Sequence, residues 1–253
     1  MRFVWAVFRR EIKSYFVSPL CYTAIAAFLG IMGVLYYALL MGYERTRLRA
    51  AMNPLAEMPG VENIVRGMLG SDIMWAFLII VPLLSMRMLA WERQQHTAEL
   101  LLTAPMTTWH LVLGKFFGAV FVLITMLALA VWMPFVVVYW GSADPAPLLS
   151  GILGVLLYGA LMLAIALLAS SLTESTIQAG FLTLLFMAVV YVVGILVPRV
   201  PLVGENLEQF TPGGNLSLLA RGVVDTQPLV YFLSMTALLL FLTSQIVDSQ
   251  RWR

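Results

Sequence analysis

The sequence has little charge, one cysteine and two histidines, and each shortage excludes a class of protein. Charged residues make up 11% of the 253 residues, which is too few for the surface of a soluble domain. The net charge is only +2, so charge does not indicate a nucleic-acid partner. Cys21 is the sole cysteine and cannot form an internal disulfide, and we expect it to pack as a small apolar residue.

The motifs of hydrolytic enzymes, ATPases and metal sites are also missing from the sequence. It contains neither a His-Glu-x-x-His zinc motif nor a Gly-x-Ser-x-Gly elbow, and Gly114-Lys115 is followed by Phe116, unlike a Walker A loop. The 15 methionines indicate flexible packing and a lining for apolar ligands rather than a soft-metal site. We therefore predict no catalytic residue, no bound metal and no cofactor for this chain, which would not be an enzyme by itself.

Apolar residues are abundant: they make up 61% of the chain, and the mean hydropathy is +0.92. Several uncharged stretches approach the roughly 20 residues that a helix needs to cross a bilayer, and they do not alternate as barrel strands would. We predict an all-α integral membrane protein with one transmembrane domain over residues 1–253. The predicted spans are 20–42, 71–91, 111–140, 148–171, 177–197 and 229–247. Span 71–91 contains Pro82, which would bend it, and Arg87, which interrupts it.

Residues 1–18 have the pattern of an amphipathic helix that lies along a membrane surface. An apolar side formed by residues such as Val4, Phe8 and Phe16 faces away from a basic side. The basic side would contact anionic headgroups, whereas the alternative is a solvated leader. The residues assigned to the membrane interface are Arg2, Trp5, Phe8, Arg9, Arg10 and Lys13.

The distribution of lysine and arginine predicts the orientation. Six spans place both termini on one side, and with the termini inside, the inner segments hold nine of these residues and the outer segments six. We expect a multi-pass protein of the bacterial inner membrane with cytoplasmic termini. Arg45, Arg47 and Arg49 are the exceptions, and we assign them to an outer loop of mixed charge.

The segment 198–228 is long for a simple connection and is interrupted by proline and glycine. Asn215 could cap a short helix within it, which would contain Leu216, Leu218, Leu219, Val223 and Val224. We expect an extracytoplasmic lid that enters the outer leaflet, with a plain surface loop as the alternative.

Residues 87–115, the elbow, carry basic, acidic and apolar residues between two apolar runs. Leu100, Leu101 and Leu102 would form an apolar knob flanked by Glu92 and Glu99, and Pro105 would end their helix. The acidic and basic residues of the predicted spans fall near span ends, so we expect an energy source outside the membrane. The elbow would dock that partner; an ordinary amphipathic connector is the alternative.

Three blocks of the sequence resemble a known family. They are "FRREIKSYFVSPLCYTAIAAFLGIMGVLYY", "MRMLAWERQQHTAELLLTAPMTTWHLVLGKFFGA" and "LARGVVDTQPLVYFLSMTALLLFLTSQIVDSQRW". They are similar to the membrane subunit, or permease, of ABC exporters of the ABC-2 class, and most similar to permeases associated with gliding motility. The middle block is the specific one, and His96 and Trp91 depart from its pattern, where a glycine and an acid are usual.

The resemblance implies a six-span permease that dimerises and seats two separate ABC ATPase subunits, which would hold the ATP and Mg. A coupling helix would lie in the cytoplasmic segment 92–110, and residues 1–18 would be the connecting helix. Spans two and five of two protomers would line the pathway. The residues assigned to ATPase coupling are Glu92, Arg93, Thr97, Glu99, Leu100, Leu101, Leu102 and Pro105.

These observations predict a permease that exports a lipid-like or amphipathic substrate, in contact with membrane lipid and without a nucleic-acid partner. The second protomer could be identical or a close homologue, and an extracytoplasmic accessory subunit could join. Two alternatives remain open. The complex could transmit force to extracytoplasmic partners without transport, or the chain could be a non-transporting scaffold.

Overall fold

The described residues of the computed structural model are 2–52, 60–95, 107–141, 144–197 and 209–250, and their regular elements are all helices. A π-helix, Met68–Asp72, joins the α-helices Glu62–Gly67 and Ile73–Ser85. Within the described ranges the α-helices are α1 (Arg2–Val17), α2 (Pro19–Met52), α3 (Glu62–Gly67), α4 (Ile73–Ser85), α5 (Leu89–Gln94), α6 (Thr108–Ala130), α7 (Trp132–Gly141), α8 (Ala146–Ser171), α9 (Thr176–Leu196), α10 (Pro212–Ala220) and α11 (Thr226–Gln250).

Six helical segments within the described ranges are long and apolar enough to cross a membrane. They are Pro19–Met52, Glu62–Gln94, Thr108–Gly141, Ala146–Ser171, Thr176–Leu196 and Thr226–Gln250. The predicted all-α membrane fold with six spanning helices is therefore confirmed. Successive segments alternate in direction, so the end of α5, the start of α6, the end of α8 and the end of α11 lie together. We call this the elbow end.

The second and fourth spanning segments form the centre of the bundle. About two thirds of their most apolar window is buried, against 39% or less in the other four. A row of aromatic rings crosses the centre: Phe28 of α2 stacks on Phe77 of α4 at 6.2 Å, and Phe77 stacks on Tyr158 of α8 at 5.8 Å. Phe232 of α11 then meets Tyr158 edge-to-face at 6.3 Å. These contacts bury large apolar areas and join four helices.

Small residues let neighbouring segments approach α8 closely. A Cβ on Gly151 would lie 2.7 Å from Leu69 of the π-helix, and one on Gly159 would lie 2.6 Å from Leu123 of α6. Packing between membrane helices depends on such close approach, because lipid competes equally for apolar side chains. Gly151 and Gly159 thus allow other segments to pack closely around α8 at the centre of the bundle.

Helix α2 continues ten residues beyond the predicted end of the first span. Its 34 residues extend about 51 Å at roughly 1.5 Å per residue, well beyond a hydrocarbon core of about 30 Å. The prediction that Arg45, Arg47 and Arg49 form a loop is therefore wrong, because all three lie in this helix. Between Gly42 and Pro54 the sequence lacks glycine and proline and is rich in good helix formers, so the helix is not interrupted.

The second and third spanning segments are interrupted. Pro82 lies inside α4, which ends at Ser85, and residues 86–88 form a turn before α5. Arg87 lies in this turn, with its guanidinium 5.2 Å from the ring centroid of Trp91. Val131 separates α6 from α7, and Pro134 removes a backbone donor directly after the break.

The segment 198–228 contains the predicted short helix, α10, whereas residues 198–208 lie outside the described ranges. The predicted cap is wrong: Thr211 caps α10 by accepting a hydrogen bond from the Gly214 N–H at 3.1 Å. Asn215 lies inside the helix and donates to the carbonyls of Gln209 and Thr211. Val223 and Val224, which the prediction also placed in this helix, follow it and are exposed.

Helix α10 packs into the bundle at the end opposite the elbow. Leu216 and Leu219 are fully buried, and a Cβ on Gly154 of α8 would lie 2.9 Å from Leu219. The helix is thus held against the bundle by its leucines, and its position relative to the membrane leaflet stays a prediction.

Candidate functional site

A buried lysine joins three helices at the elbow end. Lys115 of α6 is 1% exposed, and its ammonium donates to Glu11 Oε1 at 3.1 Å and to the Met88 carbonyl at 3.2 Å. Its Nζ also lies 3.0 Å from Glu92 Oε2. An ammonium has three N–H donors, and here each has an acceptor on a different segment: α1, the turn before α5, and α5 itself.

Arg10 completes this arrangement, which we call the ion cluster and define as Arg10, Glu11, Glu92 and Lys115. Its Nη2 lies 2.6 Å from Glu92 Oε1 and 2.9 Å from Glu11 Oε1, and its side chain is 45% exposed. Two acids and two bases balance, so the charges that are removed from water compensate one another. The ion cluster ties α1 to both the start and the end of the elbow.

The close approach of α1 to α6 allows the ion cluster to form. A Cβ on Gly114 would lie 2.6 Å from Val7 Cγ1, and one on Gly118 would lie 2.8 Å from the Cβ of Glu11. The two glycines therefore let α1 lie directly on the backbone of α6. Lys115 is between them in sequence and reaches Glu11 without leaving the interface.

The contacts of the ion cluster shift the pKa values of Glu11 and Arg10. Burial alone would raise the pKa of the Glu11 carboxyl, but the Lys115 charge and the hydrogen bonds from Arg10 and Lys115 hold it below its ordinary value. Burial acts to lower the pKa of Arg10, and the hydrogen bond to Glu11 and the charge of Glu92 outweigh it, so that the pKa is raised. Both residues are therefore charged at neutral pH.

Ser170 of α8 fixes the start of α5. Its hydroxyl oxygen accepts from the backbone N–H of Leu89 at 3.0 Å and of Ala90 at 2.9 Å. These donors belong to the first turn of a helix, which has no partners for them within the helix. No side chain of α5 caps this end, so a residue 80 positions away does so.

The end of α5 is bound to α9, to α11 and to the segment between α8 and α9. Arg93 donates to the Thr173 carbonyl at 3.3 Å and to the side chain of Gln250 near the end of α11. The Gln94 side-chain oxygen accepts from the Thr176 N–H of α9 at 3.2 Å. On the other side of the elbow, Thr108 donates to Asp248 at 2.9 Å. Both ends of the elbow are thus joined to the transmembrane bundle by polar contacts.

Two polar groups beside the ion cluster are buried without a hydrogen-bond partner among the described residues: the hydroxyl of Tyr15 and one terminal nitrogen of Arg87. Burial raises the pKa of the Tyr15 hydroxyl, which keeps it protonated. The guanidinium of Arg87 lies over the ring of Trp91.

The structure describes only part of the predicted coupling segment. Thr97, Glu99, Leu100, Leu101, Leu102 and Pro105, and also His96, lie outside the described residues. Glu92 and Arg93 are described, and both bind other parts of this chain. Glu92 was expected to contact a partner, but its side chain is 14% exposed and belongs to the ion cluster.

The residues assigned to the membrane interface have different environments. Trp5 is 65% exposed, Phe8 is half-buried, and Arg9 and Lys13 are exposed. Arg10 was expected among the headgroup-facing residues, and the structure pairs it with Glu11 and Glu92. The side chain of Arg2 lies outside the described part of the chain.

Neither the role of Glu11 nor the burial of Lys115 was predicted from the sequence. The available signal was a single acid on a helix that is otherwise basic and apolar, at the boundary between its two sides. This signal was not sufficient, because the sequence does not show which cation on another helix faces the acid.

Comparison with known proteins agrees with this architecture. Residues 46–212 match the family described as "ABC-2 family transporter protein", and this match covers more than half of the chain. No curated protein matches the sequence significantly. The matched region contains the elbow, α4, α6 and α8, and the fifth span. The chain therefore belongs to the ABC-2 family of transporter membrane proteins.

Proposed function

We propose that this chain is the permease subunit of an ATP-driven exporter and that its elbow receives force from a separate ATPase. Family membership implies an ABC ATPase partner and usually a dimer. The observation that carries the proposal is the attachment of the elbow. Glu92 near its start and Lys115 at its end meet in the ion cluster. Arg93 binds the segment after α8 and the end of α11, and Thr108 also binds α11.

The contacts suggest how motion would pass from the elbow to the membrane. A displacement of α5 would act on α1 and α6 through the ion cluster and on α8 through Ser170. Packed helices respond to such a displacement by rigid-body tilt, because their interfaces are not continuously deformable. ATP and Mg would be bound by the ATPase, and this chain would contribute only the mechanical connection.

An apolar cavity supports a lipid-like or amphipathic substrate. It has a volume of about 240 Å³ and lies between α2, the π-helix, α6 and α8. Its lining includes Met32, Met68, Ile73 and Val155 and is almost entirely apolar. Irregular helix geometry lies beside it, at the π-helix and at the break after Ala130, and such features are frequent at functional sites.

The packing of the second and fifth spans is compatible with a pathway between two protomers. Trp75 of α4 and Tyr191 of α9 lie 4.7 Å apart, and Trp75 is 47% exposed. The two helices therefore share an outward face on which a second copy or a close homologue could pack. The dimer and its pathway are part of the proposal.

We extend the proposal to location and subfamily. The elbow end carries Arg9, Arg10, Lys13, Arg93 and Lys115, which by the positive-inside rule favours a cytoplasmic elbow and cytoplasmic termini in a bacterial inner membrane. The resemblance to permeases associated with gliding motility suggests that subfamily and an extracytoplasmic accessory subunit.

Purification of the tagged chain from its native membrane tests the ATPase partner. We expect a stoichiometric nucleotide-binding protein and an ATPase activity that Leu101→Glu abolishes without preventing membrane insertion. Leu48→Glu is the matched control, because Leu48 is 54% exposed on the extension of α2, at the other end of the bundle. Unchanged activity in Leu101→Glu would remove the elbow from its proposed role.

The extension of α2 favours force transmission as the second candidate function. Its exposed Arg45, Arg47 and Arg49 form a basic tip that an extracytoplasmic partner could bind. Sealed vesicles that contain only the permease and its ATPase discriminate the two functions. Flux of an amphipathic substrate supports export, whereas ATP hydrolysis without flux supports force transmission.

A further inference from the structure

An apolar groove lies between α1 and α6 on the outer surface of the bundle. It has a volume of about 520 Å³ and is lined by Val4, Trp5 and Phe8 of α1 and by Phe117, Val120, Phe121 and Ile124 of α6. Its volume falls within the roughly 300–1,000 Å³ that is usual for small-molecule sites. None of the lining residues is polar apart from the indole N–H of Trp5, so the groove suits a hydrocarbon chain.

The walls of the groove are largely aromatic and are exposed on the outside of the bundle. Trp5 and Phe8 lie 5.2 Å apart, and Phe8 meets Phe121 edge-to-face at 6.1 Å. Phe117, Phe121 and Ile124 are between 39% and 48% exposed. They are spaced at four and three residues, so they form one stripe that extends about 10 Å along α6. A chain that lies on this stripe would run along α6, away from the elbow end.

Basic residues lie beside the groove on α1. Arg9 is four residues after Trp5, and Lys13 is four residues after Arg9, so both project from the side of α1 that borders the groove wall. Both side chains are exposed, and neither forms a salt bridge with a described residue. The ion cluster uses Arg10 instead, which points toward Glu92. The charge beside the groove is therefore uncompensated within the described structure.

We propose that this groove is a binding site for one anionic phospholipid. An acyl chain would occupy the apolar groove, and the anionic headgroup would bind Arg9 and Lys13. A neutral lipid could fill the groove but would leave both cations unpaired, and a protein segment would need acids to match them. The charge complementarity thus favours an anionic lipid over other occupants. The site does not depend on the proposed ATPase coupling.

Fluorescence quenching of Trp5 tests this proposal. The full chain is reconstituted in vesicles of phosphatidylcholine and phosphatidylglycerol in which only one lipid class carries brominated acyl chains. The difference between the wild type and Trp5→Phe isolates the Trp5 signal from the other six tryptophans. Two basic residues near the headgroup are expected to favour the anionic lipid about thirtyfold at the groove.

Two variants and one control make the result specific. Arg9→Gln combined with Lys13→Gln should remove the preference for phosphatidylglycerol, and Val120→Phe, which fills the groove, should reduce quenching by that lipid. Arg47→Gln removes an exposed charge at the other end of the bundle and should preserve the preference. Equal quenching by both lipids, a preference that survives the double variant, or protection of Trp5 from both lipids would overturn the proposal.

Discussion

The Nζ of Lys115 lies 3.1 Å from Oε1 of Glu11, although 104 positions separate the two residues in the chain. Both side chains are almost inaccessible, at 2% and 6% exposure. A buried pair of this kind contributes little net stability when intact, but it is costly to break because the remaining charge has no partner. It therefore makes one arrangement of α1 and α6 much more favourable than others.

Lys115→Met should destabilise the protein strongly, because it leaves two carboxylates side by side in a buried site. The expected loss is about 3–5 kcal/mol, the usual cost of breaking a buried ion pair. Thermal unfolding in detergent measures it as a large fall in the melting temperature. Lys13→Met is the control, since Lys13 is exposed on the same bundle end and should have little effect. Similar melting temperatures for both variants would contradict the buried role of Lys115.

Lowering the pH should decrease the stability of the folded protein, because it protonates Glu11. Because the pKa of Glu11 in the folded state lies below its ordinary value of 4.5, its stabilising contribution is complete above that value. The contribution is lost as the pH falls below 4.5 and through the folded-state pKa. Melting temperatures between pH 7 and pH 3 should therefore fall less steeply for Glu11→Gln than for wild type. Glu44→Gln, at an exposed position, should retain the wild-type slope.

Ser170→Ala should loosen the start of α5. The change leaves the backbone N–H groups of Leu89 and Ala90 without their acceptor, at a cost of about 1–3 kcal/mol. Faster amide hydrogen exchange at these two residues is the specific signature. Ser171→Ala is the matched control, because the hydroxyl of Ser171 is also buried but donates only to the Leu168 carbonyl of its own helix. Equal exchange in the two variants would show that Ser170 does not cap α5.

Gly114→Ala should push α1 away from α6. The new methyl would lie 2.6 Å from Val7 Cγ1, and overpacking of this kind costs about 1–3 kcal/mol. Gly30→Ala provides the comparison, because nothing lies within 4 Å of the Cβ position there. The measurement is the melting temperature together with proteolysis of α1. A Gly114→Ala protein as stable as Gly30→Ala would show that the close contact can relax without cost.

Glu11→Gln and Lys115→Met should not be additive. The two side chains share one contact network, so the double variant should lose less stability than the sum of the single variants. A thermodynamic cycle of unfolding measurements in the same detergent gives the coupling. Glu44→Gln with Lys115→Met is the reference pair, and additivity is expected there because Glu44 lies on the extension of α2. Additivity in both cycles would exclude the proposed network.

The long apolar runs determined the membrane fold. A stretch of about 20 uncharged residues has to form a helix in a bilayer, since backbone groups have no other partners there. The six spans follow from this local rule, and the elbow was recognisable because polar residues interrupt the apolar pattern. The short helix α10 was also predictable from its proline and glycine boundaries. Its cap was not, because Thr211 and Asn215 are both chemically suitable.

Only the tertiary structure determined which residues distant in sequence contact one another. The extension of α2 shows the limit of the hydropathy rule, which locates the end of the apolar run but not the end of the helix. Ser170 and Gln250 have no local signal for binding α5, because their roles exist only where α8 and α11 approach it. Likewise, the sequence determined that Glu11 and Lys115 carry charge, and the packing at Gly114 and Gly118 decided that these charges meet. The physical reason is that hydropathy and helix propensity act over a few residues, whereas an ion pair depends on where two helices cross.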